Sequence, residues 1–111
     1  MDTWTAKRLE ALLRGYISEK IPPSMRTAVR IVYRLEADRV TLTEERPESP
    51  REGWTGKDLA QFRLERGAWS VYAKQGEGPE EWVAARSIEP RMDFEDQLEQ
   101  FELDREGLFW K

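Results

Sequence analysis

A pair of adjacent prolines, Pro22 and Pro23, separates two stretches of the chain that have different hydrophobic periods. Before the pair, apolar residues recur at i, i+3, i+4, i+7 and i+8 and so share one helical face: Leu9, Leu12, Leu13, Tyr16 and Ile17. Because proline does not continue a helix, we expect this helix to cover about residues 5–19. The chain therefore begins with an amphipathic helix that needs a surface to cover.

After the prolines, apolar and polar residues alternate, which is the period of a half-buried β-strand. The alternation predicts strands over about residues 28–36, 39–46, 59–65, 68–74 and 81–85. The segment 47–57 between the second and third strands contains two Pro, two Gly and Trp54. We expect a loop of about 11 residues there, which is long for a small domain and is typical of a mobile or functional segment.

A second helix is predicted over about residues 93–103, with Phe94, Leu98 and Phe101 on one face. Helices at both ends with hairpins between them predict an α+β fold. We expect an antiparallel sheet of four or five strands, with the N-terminal and the C-terminal helix packed on one face. A chain of 111 residues suits a single domain, spanning 1–111.

The composition excludes much of the common enzyme chemistry, because the chain has no His, no Cys and no Asn. Without these residues there is no imidazole base, no thiolate nucleophile, no disulfide and no Cys-based metal site. The start of the chain lacks the apolar stretch of a signal peptide, and no apolar run is long enough to span a membrane. We expect a soluble cytoplasmic protein with no metal, no cofactor and no membrane association. Whether it is an enzyme stays open, and we favour a non-enzymatic protein.

Several short motifs resemble one known family. They are Ile21-Pro22-Pro23, Tyr33-Arg34-Leu35-Glu36, Val40-Thr41-Leu42, Glu44-Glu45-Arg46-Pro47 and Trp69-Ser70-Val71-Tyr72. With the aromatic C-terminal end, they make nearly the whole chain similar to small bacterial proteins of the domain-of-unknown-function family numbered 3024. The chain departs from that family at Phe109-Trp110-Lys111, where members often carry an aromatic–Gly pair. The resemblance implies a shared fold and assigns no activity and no catalytic residue.

Glu44 and Arg46 are the first candidate site. They are two residues apart on a strand, so they continue the face that Val40 and Leu42 present to the core. This pattern is typical either of a strand end that has reached solvent, or of a partly buried ion pair beside a ligand cleft or active site.

The opposite sheet face is the second candidate. It is predicted to carry the possible nucleic-acid-binding residues Arg30, Arg34, Arg63 and Tyr72, together with hydroxyl and amide side chains from neighbouring strands. Glutamates on the same face and the net charge of −4 oppose this interpretation, although residues 1–43 alone carry a net charge of +3. The simpler alternative is a solvated face with cross-strand ion pairs.

Trp54 and Trp110 lie outside the periodic pattern and are candidate interface anchors, since Trp contributes strongly to interfaces. Alternatively, each covers an edge of the domain's own core. We therefore expect an interaction module that binds an unknown protein partner or self-associates. Nucleic-acid binding through the open sheet face is the alternative, and a small-molecule site or enzyme around Glu44 and Arg46 is the third hypothesis.

Overall fold

The structure, a computed structural model, describes residues 1–49, 53–76, 78 and 81–110. Its helices and strands follow one another as α1 (Thr3–Lys20), β1 (Arg30–Glu36), β2 (Arg39–Ser49), β3 (Gly53–Glu65), β4 (Ala68–Lys74), β5 (Trp82–Ala84) and α2 (Phe94–Leu103). A short 3-10 helix, Pro23–Met25, joins α1 to β1. The predicted α+β fold is confirmed, with five antiparallel strands and a helix at each end.

The sheet is a meander in which every strand pairs with its chain neighbour, in the order β1-β2-β3-β4-β5. Short reversals make this arrangement possible. Ala37 begins the β1–β2 turn and Arg66 the β3–β4 turn, at φ values of 50° and 54°, and Gly67 follows at 78°. Left-handed turn residues match the twist of hairpin strands, so adjacent strands pair without a long connection.

The predicted loop at 47–57 is wrong, because paired strands cover most of this segment. β2 continues through Pro47 to Ser49, and β3 already begins at Gly53. Pro47 pairs with Trp54 at a point beyond the end of β1, where β2 is an edge strand and a residue without an N–H is tolerated. Residues 50–52 lie outside the described part of the chain.

A β-bulge at Leu59 interrupts the alternation in β3. Leu42 pairs with Ala60 and Thr43 with Asp58, so Leu59 is the extra residue on its strand. Consecutive side chains are buried around the bulge, with Leu59 3% and Ala60 0% exposed. A strict period of two therefore fails at this point.

Both helices pack on the face that carries Val40, Phe62 and Val71, which lie in one row across the sheet. From α1, Leu9 and Leu13 are buried in this core. From α2, Phe94 and Phe101 pack edge-on against Phe62, with ring centroids 5.1 and 5.9 Å away. The aromatic rings supply a large buried apolar area, and no helix of the described residues covers the opposite sheet face.

Candidate functional site

A groove separates the two helices on the covered face. α1 packs mainly on β1 and α2 on β4. Three strand spacings of about 4.8 Å separate β1 from β4 by about 14 Å, whereas the axes of closely packed helices are about 8–10 Å apart. This spacing favours a depression between α1 and α2, which side chains bridge at one end, where the ring centroids of Tyr16 and Phe101 lie 6.2 Å apart.

The two helices run in the same direction along this groove. Near its start, Leu9 of α1 and Phe94 of α2 line one cavity of about 350 Å³. Near its end, Tyr16 donates a hydrogen bond to Glu102 of α2. A second cavity, of about 550 Å³, occupies this end, and Leu12 lines both. We call this combined depression the α1–α2 groove.

Two large apolar side chains stand exposed at the start of the groove. Trp4 is 74% exposed and Met92 is 84% exposed, and both line the first cavity. Sequence reasoning did not identify either residue. Trp4 is five residues from Leu9, which places it about 140° around the helix from that buried position. The sequence signal that could have identified Trp4 was its position, since it is a large aromatic residue far from the apolar stripe of its helix.

Carboxylates line the far end of the groove, from Glu19 on α1 and from Glu95, Glu99 and Glu102 on α2. Glu102 accepts hydrogen bonds from Tyr16 and from Lys20, whose Nζ lies 2.5 Å from Glu102 Oε1. Burial, the Glu102 hydrogen bond and the Glu102 charge raise the pKa of Tyr16 well above its ordinary value of 10.0. Within the described residues, the other three carboxylates have no ion-pair partner.

The sheet register places the four predicted nucleic-acid-binding residues on the open face. Arg34, Gln61 and Tyr72 lie in one row across the strands, and Arg63 lies in the next row. The structure brings Arg63 and Tyr72 into contact, and Arg30 and Arg34 lie on β1, two strands from Arg63 and three from Tyr72. The face carries both signs of charge in nearly equal numbers.

Each of these cations already has a partner within the fold. Arg30 Nε lies 2.6 Å from Glu45 Oε1, and its guanidinium stacks 4.0 Å from the centre of the Trp54 ring. Arg63 lies 3.9 Å from the Tyr72 ring centre. Such stacking is favourable by about 0.5–2 kcal/mol per pair, so these cations are held in local pairs and are not free charges.

Tyr72 and Arg34 each have a carboxylate partner as well. The Tyr72 hydroxyl donates to Glu65 at 2.9 Å, and partial burial together with this bond raises the pKa of Tyr72. Arg34 pairs with Glu36 of the same strand at 3.1 Å. Arg34 keeps 60% of its side chain exposed, so it is accessible to a ligand despite the pairing.

Glu44 and Arg46 lie together on β2, with Arg46 Nε 3.0 Å from Glu44 Oε1. The carboxylate side chain is 19% exposed and the arginine side chain 63% exposed. Glu44 pairs with Ile31, which confirms that it lies on the helix-covered side of the sheet. Neither residue lines the α1–α2 groove.

The two predicted interface tryptophans are both partly covered by their own fold. Trp54 lies on β3 and is not in a loop, and Arg30 covers its ring. The Trp110 ring centre lies 5.0 Å from that of Phe101, and Lys20 Nζ lies 4.5 Å from it. The Trp110 contacts match the alternative in which such a residue closes the edge of the core, whereas Trp54 contacts Arg30 on the open sheet face.

The described residues contain no group of three acidic, histidine or cysteine side chains placed to hold a metal ion. Within the same residues, neither helix is apolar enough over a sufficient length to cross a bilayer.

The fold defines a class of small α+β domains in which two terminal helices cover one face of an antiparallel meander. The chain belongs to the family described as Domain of unknown function (DUF3024), whose model matches residues 1–111. No curated protein and no solved structure matches the chain. This match confirms the resemblance seen in the sequence. The family description assigns no function.

Proposed function

We propose that this protein is a non-enzymatic binding module that recognises a protein partner through the α1–α2 groove. The observation that carries the proposal is the pair of exposed apolar side chains, Trp4 and Met92, at one cavity. Trp and Met are enriched at the cores of protein interfaces. Covering one Trp side chain of about 150 Å² is favourable by up to about 4 kcal/mol.

A non-enzymatic role fits the polar groups of the groove. The chain has no His or Cys to act as base or nucleophile. The Tyr16 hydroxyl is held by Glu102, and its raised pKa lies further from the neutral range at which a general base works best. As part of the same proposal, we place the protein in the cytoplasm. Cytoplasmic proteins rarely depend on disulfides, and this chain has no Cys to form one.

Site-specific photocrosslinking in source cells tests this function. A photoreactive phenylalanine analogue at position 4 should give a discrete crosslinked product, which mass spectrometry then identifies. The matched control carries the same analogue at position 66, an exposed residue of the β3–β4 turn that does not line the groove. A product with twice the mass of the chain identifies a second copy as the partner. Equal labelling at both positions, or no product at position 4, rejects the groove as an interface.

A second candidate function is binding of single-stranded nucleic acid on the open sheet face. The observation in its favour is the grouping of aromatic rings and cations there, Arg30 on Trp54 and Arg63 on Tyr72. Bases stack on such rings, and phosphates attract such cations. The nearly balanced charge and the internal pairing of the cations make it the weaker candidate.

Oligonucleotide titration separates this candidate from the first. Fluorescence anisotropy of labelled single strands at low salt should show saturable binding that weakens as salt is added. The variant Arg30→Glu with Arg34→Glu should lose that binding. A flat titration of the unmodified protein, or unchanged affinity of the double variant, rejects the open face as a nucleic-acid site.

A further inference from the structure

From the shape and charge of the α1–α2 groove, we infer that its occupant is a basic amphipathic helix of another protein. This inference rests on the proposed function and names the class of partner. Three features of the groove lead to it: a length and a small-residue side that suit a helix, an apolar end, and an acidic rim of three carboxylates without ion-pair partners among the described residues.

The length of the groove and the small residues on its α1 side suit a helix. It is bounded by two helices that run in the same direction, and Tyr16 and Lys20 bond to Glu102 across its far end. On α1, Ala11 and Gly15 are one turn apart and line the groove. A Cβ built at Gly15 would meet nothing within 4 Å, so a partner backbone can approach closely there. From Trp4 to Glu19 the groove follows about 22 Å of α1, which matches about four turns of a partner helix.

The apolar end provides the anchor. Trp4 and Met92 flank a cavity whose floor includes the buried rings of Trp69 and Phe94. Apolar side chains at i, i+3 and i+4 of a partner helix would fill this cavity and continue over Leu12. Helices that dock into grooves present such a stripe, which selects an amphipathic partner over an extended peptide.

The acidic rim selects the charge of the partner. Glu95 and Glu99 are one turn apart on α2, a spacing at which like charges repel. Glu19 lines the same cavity from α1, as does Lys20, which pairs with Glu102. Within the described residues, Glu19, Glu95 and Glu99 have no ion-pair partner. Lysine or arginine residues beside the apolar stripe of a partner would relieve this repulsion and supply complementary charge.

A second copy of the chain does not offer such a helix. The apolar stripe of α1 is already committed to its own core through Leu9 and Leu13. α2 is acidic in its first turn, at Glu95 and Asp96, and would repel the acidic rim. The occupant that complements this groove is therefore a different polypeptide.

The test uses the full chain and a labelled synthetic peptide of about 18 residues, about five helical turns, with leucines on one face and lysines flanking them. Fluorescence anisotropy should give saturable binding that weakens with added salt. An analogue with glutamates in place of the lysines should not bind. An analogue of the same composition, with leucines and lysines shuffled to remove the apolar face, should bind at least about tenfold more weakly.

Matched charge variants locate the binding. Glu95→Lys with Glu99→Lys should weaken the lysine peptide by at least about tenfold, and Trp4→Ala should weaken it by a similar factor. The control, Glu48→Lys with Glu106→Lys, makes the same change in net charge at exposed residues outside the groove and should change affinity by less than about twofold. Far-UV circular dichroism and thermal melts confirm that each variant is folded.

Three results overturn the inference: no binding at low salt, equal weakening by the two charge variants, or equal binding of the shuffled peptide. If photocrosslinking at position 4 still identifies a partner in that case, the binding function stands and only the class of partner is wrong. A crosslinked dimer of the chain likewise leaves the binding function standing and shows that the partner is a second copy of the chain. If both experiments fail, the groove is not an interface.

Discussion

Replacing Asp104 should loosen the C-terminal segment from the domain. Asp104 follows α2 and adopts a left-handed conformation, with φ 41° and ψ 56°. Its carboxylate accepts hydrogen bonds from the backbone N–H groups of Leu108, Phe109 and Trp110, at 2.7, 3.2 and 2.9 Å. One side chain therefore holds the turn that places the aromatic residues 109 and 110 on the core.

The expected loss follows from these three bonds. A hydrogen bond to a charged group contributes about 1.5–3 kcal/mol when well buried. Asp104 is only partly buried, so we assign about 1 kcal/mol to each bond and expect Asp104→Ala to cost about 3 kcal/mol. Asp104→Gly loses the same bonds but removes the left-handed strain, which is worth about 1 kcal/mol. Its cost should therefore be about 2 kcal/mol.

Urea denaturation followed by tryptophan fluorescence measures these differences. Glu106→Ala is the control, because Glu106 is an exposed carboxylate in the same segment. We expect the control to stay within about 0.5 kcal/mol of the unmodified protein. If Asp104→Ala also falls within that range, or is more stable than Asp104→Gly, the three hydrogen bonds do not hold this segment as argued.

Three further predictions concern single side chains. Tyr16→Phe should cost about 1 kcal/mol at neutral pH, because Glu102 loses a hydrogen-bond donor. Since the pKa of Tyr16 is raised, its contribution is full below the unfolded value of 10.0 and declines above it. Urea melts across alkaline pH should show a steeper decline for the unmodified protein, and equal slopes would contradict the assignment. Asp2 caps α1 by accepting from Thr5 N at 2.7 Å, and this bond lowers the pKa of Asp2 below its ordinary value of 3.8. Asp2→Ala should therefore lower the melting temperature at neutral pH, and the difference should shrink as the pH falls below that value; a difference independent of pH would refute it. Gln97 is 0% exposed and donates to two backbone carbonyls at 2.7 and 2.8 Å. Gln97→Ala should cost about 3 kcal/mol in urea melts, and a loss below about 1 kcal/mol would show that water replaces the amide.

Regular periodicity made most of the fold predictable. The stripe from Leu9 to Ile17 and the alternation around Ile31 place α1 and β1 correctly, because each side chain there follows its element's ideal geometry. The prediction fails where geometry departs from that ideal. Pro47 was interpreted as a strand end, yet β2 continues as an edge strand beyond β1. Leu59 forms a bulge, which no period of two can reveal.

The candidate sites were also predictable in part. Membership of the open face follows from alternation, so the placement of Arg30, Arg34, Arg63 and Tyr72 together was predictable. Their pairing was not, because stacking of a guanidinium on a ring depends on side-chain rotamers and on the exact register between strands. The α1–α2 groove was not predictable either, since it arises from which strands each helix covers.

The meander also determines the order in which contacts can form during folding. Each strand pairs with its neighbour in the chain, so the sheet needs only short loop closures. The hydrogen bond from Tyr16 to Glu102, by contrast, joins residues 86 positions apart. We expect the contacts between α1 and α2 to form last during folding and to open first in native-state hydrogen exchange. A helix bound in the groove would bridge the two elements most distant in sequence, and so would slow exchange across the whole domain and not only beneath it.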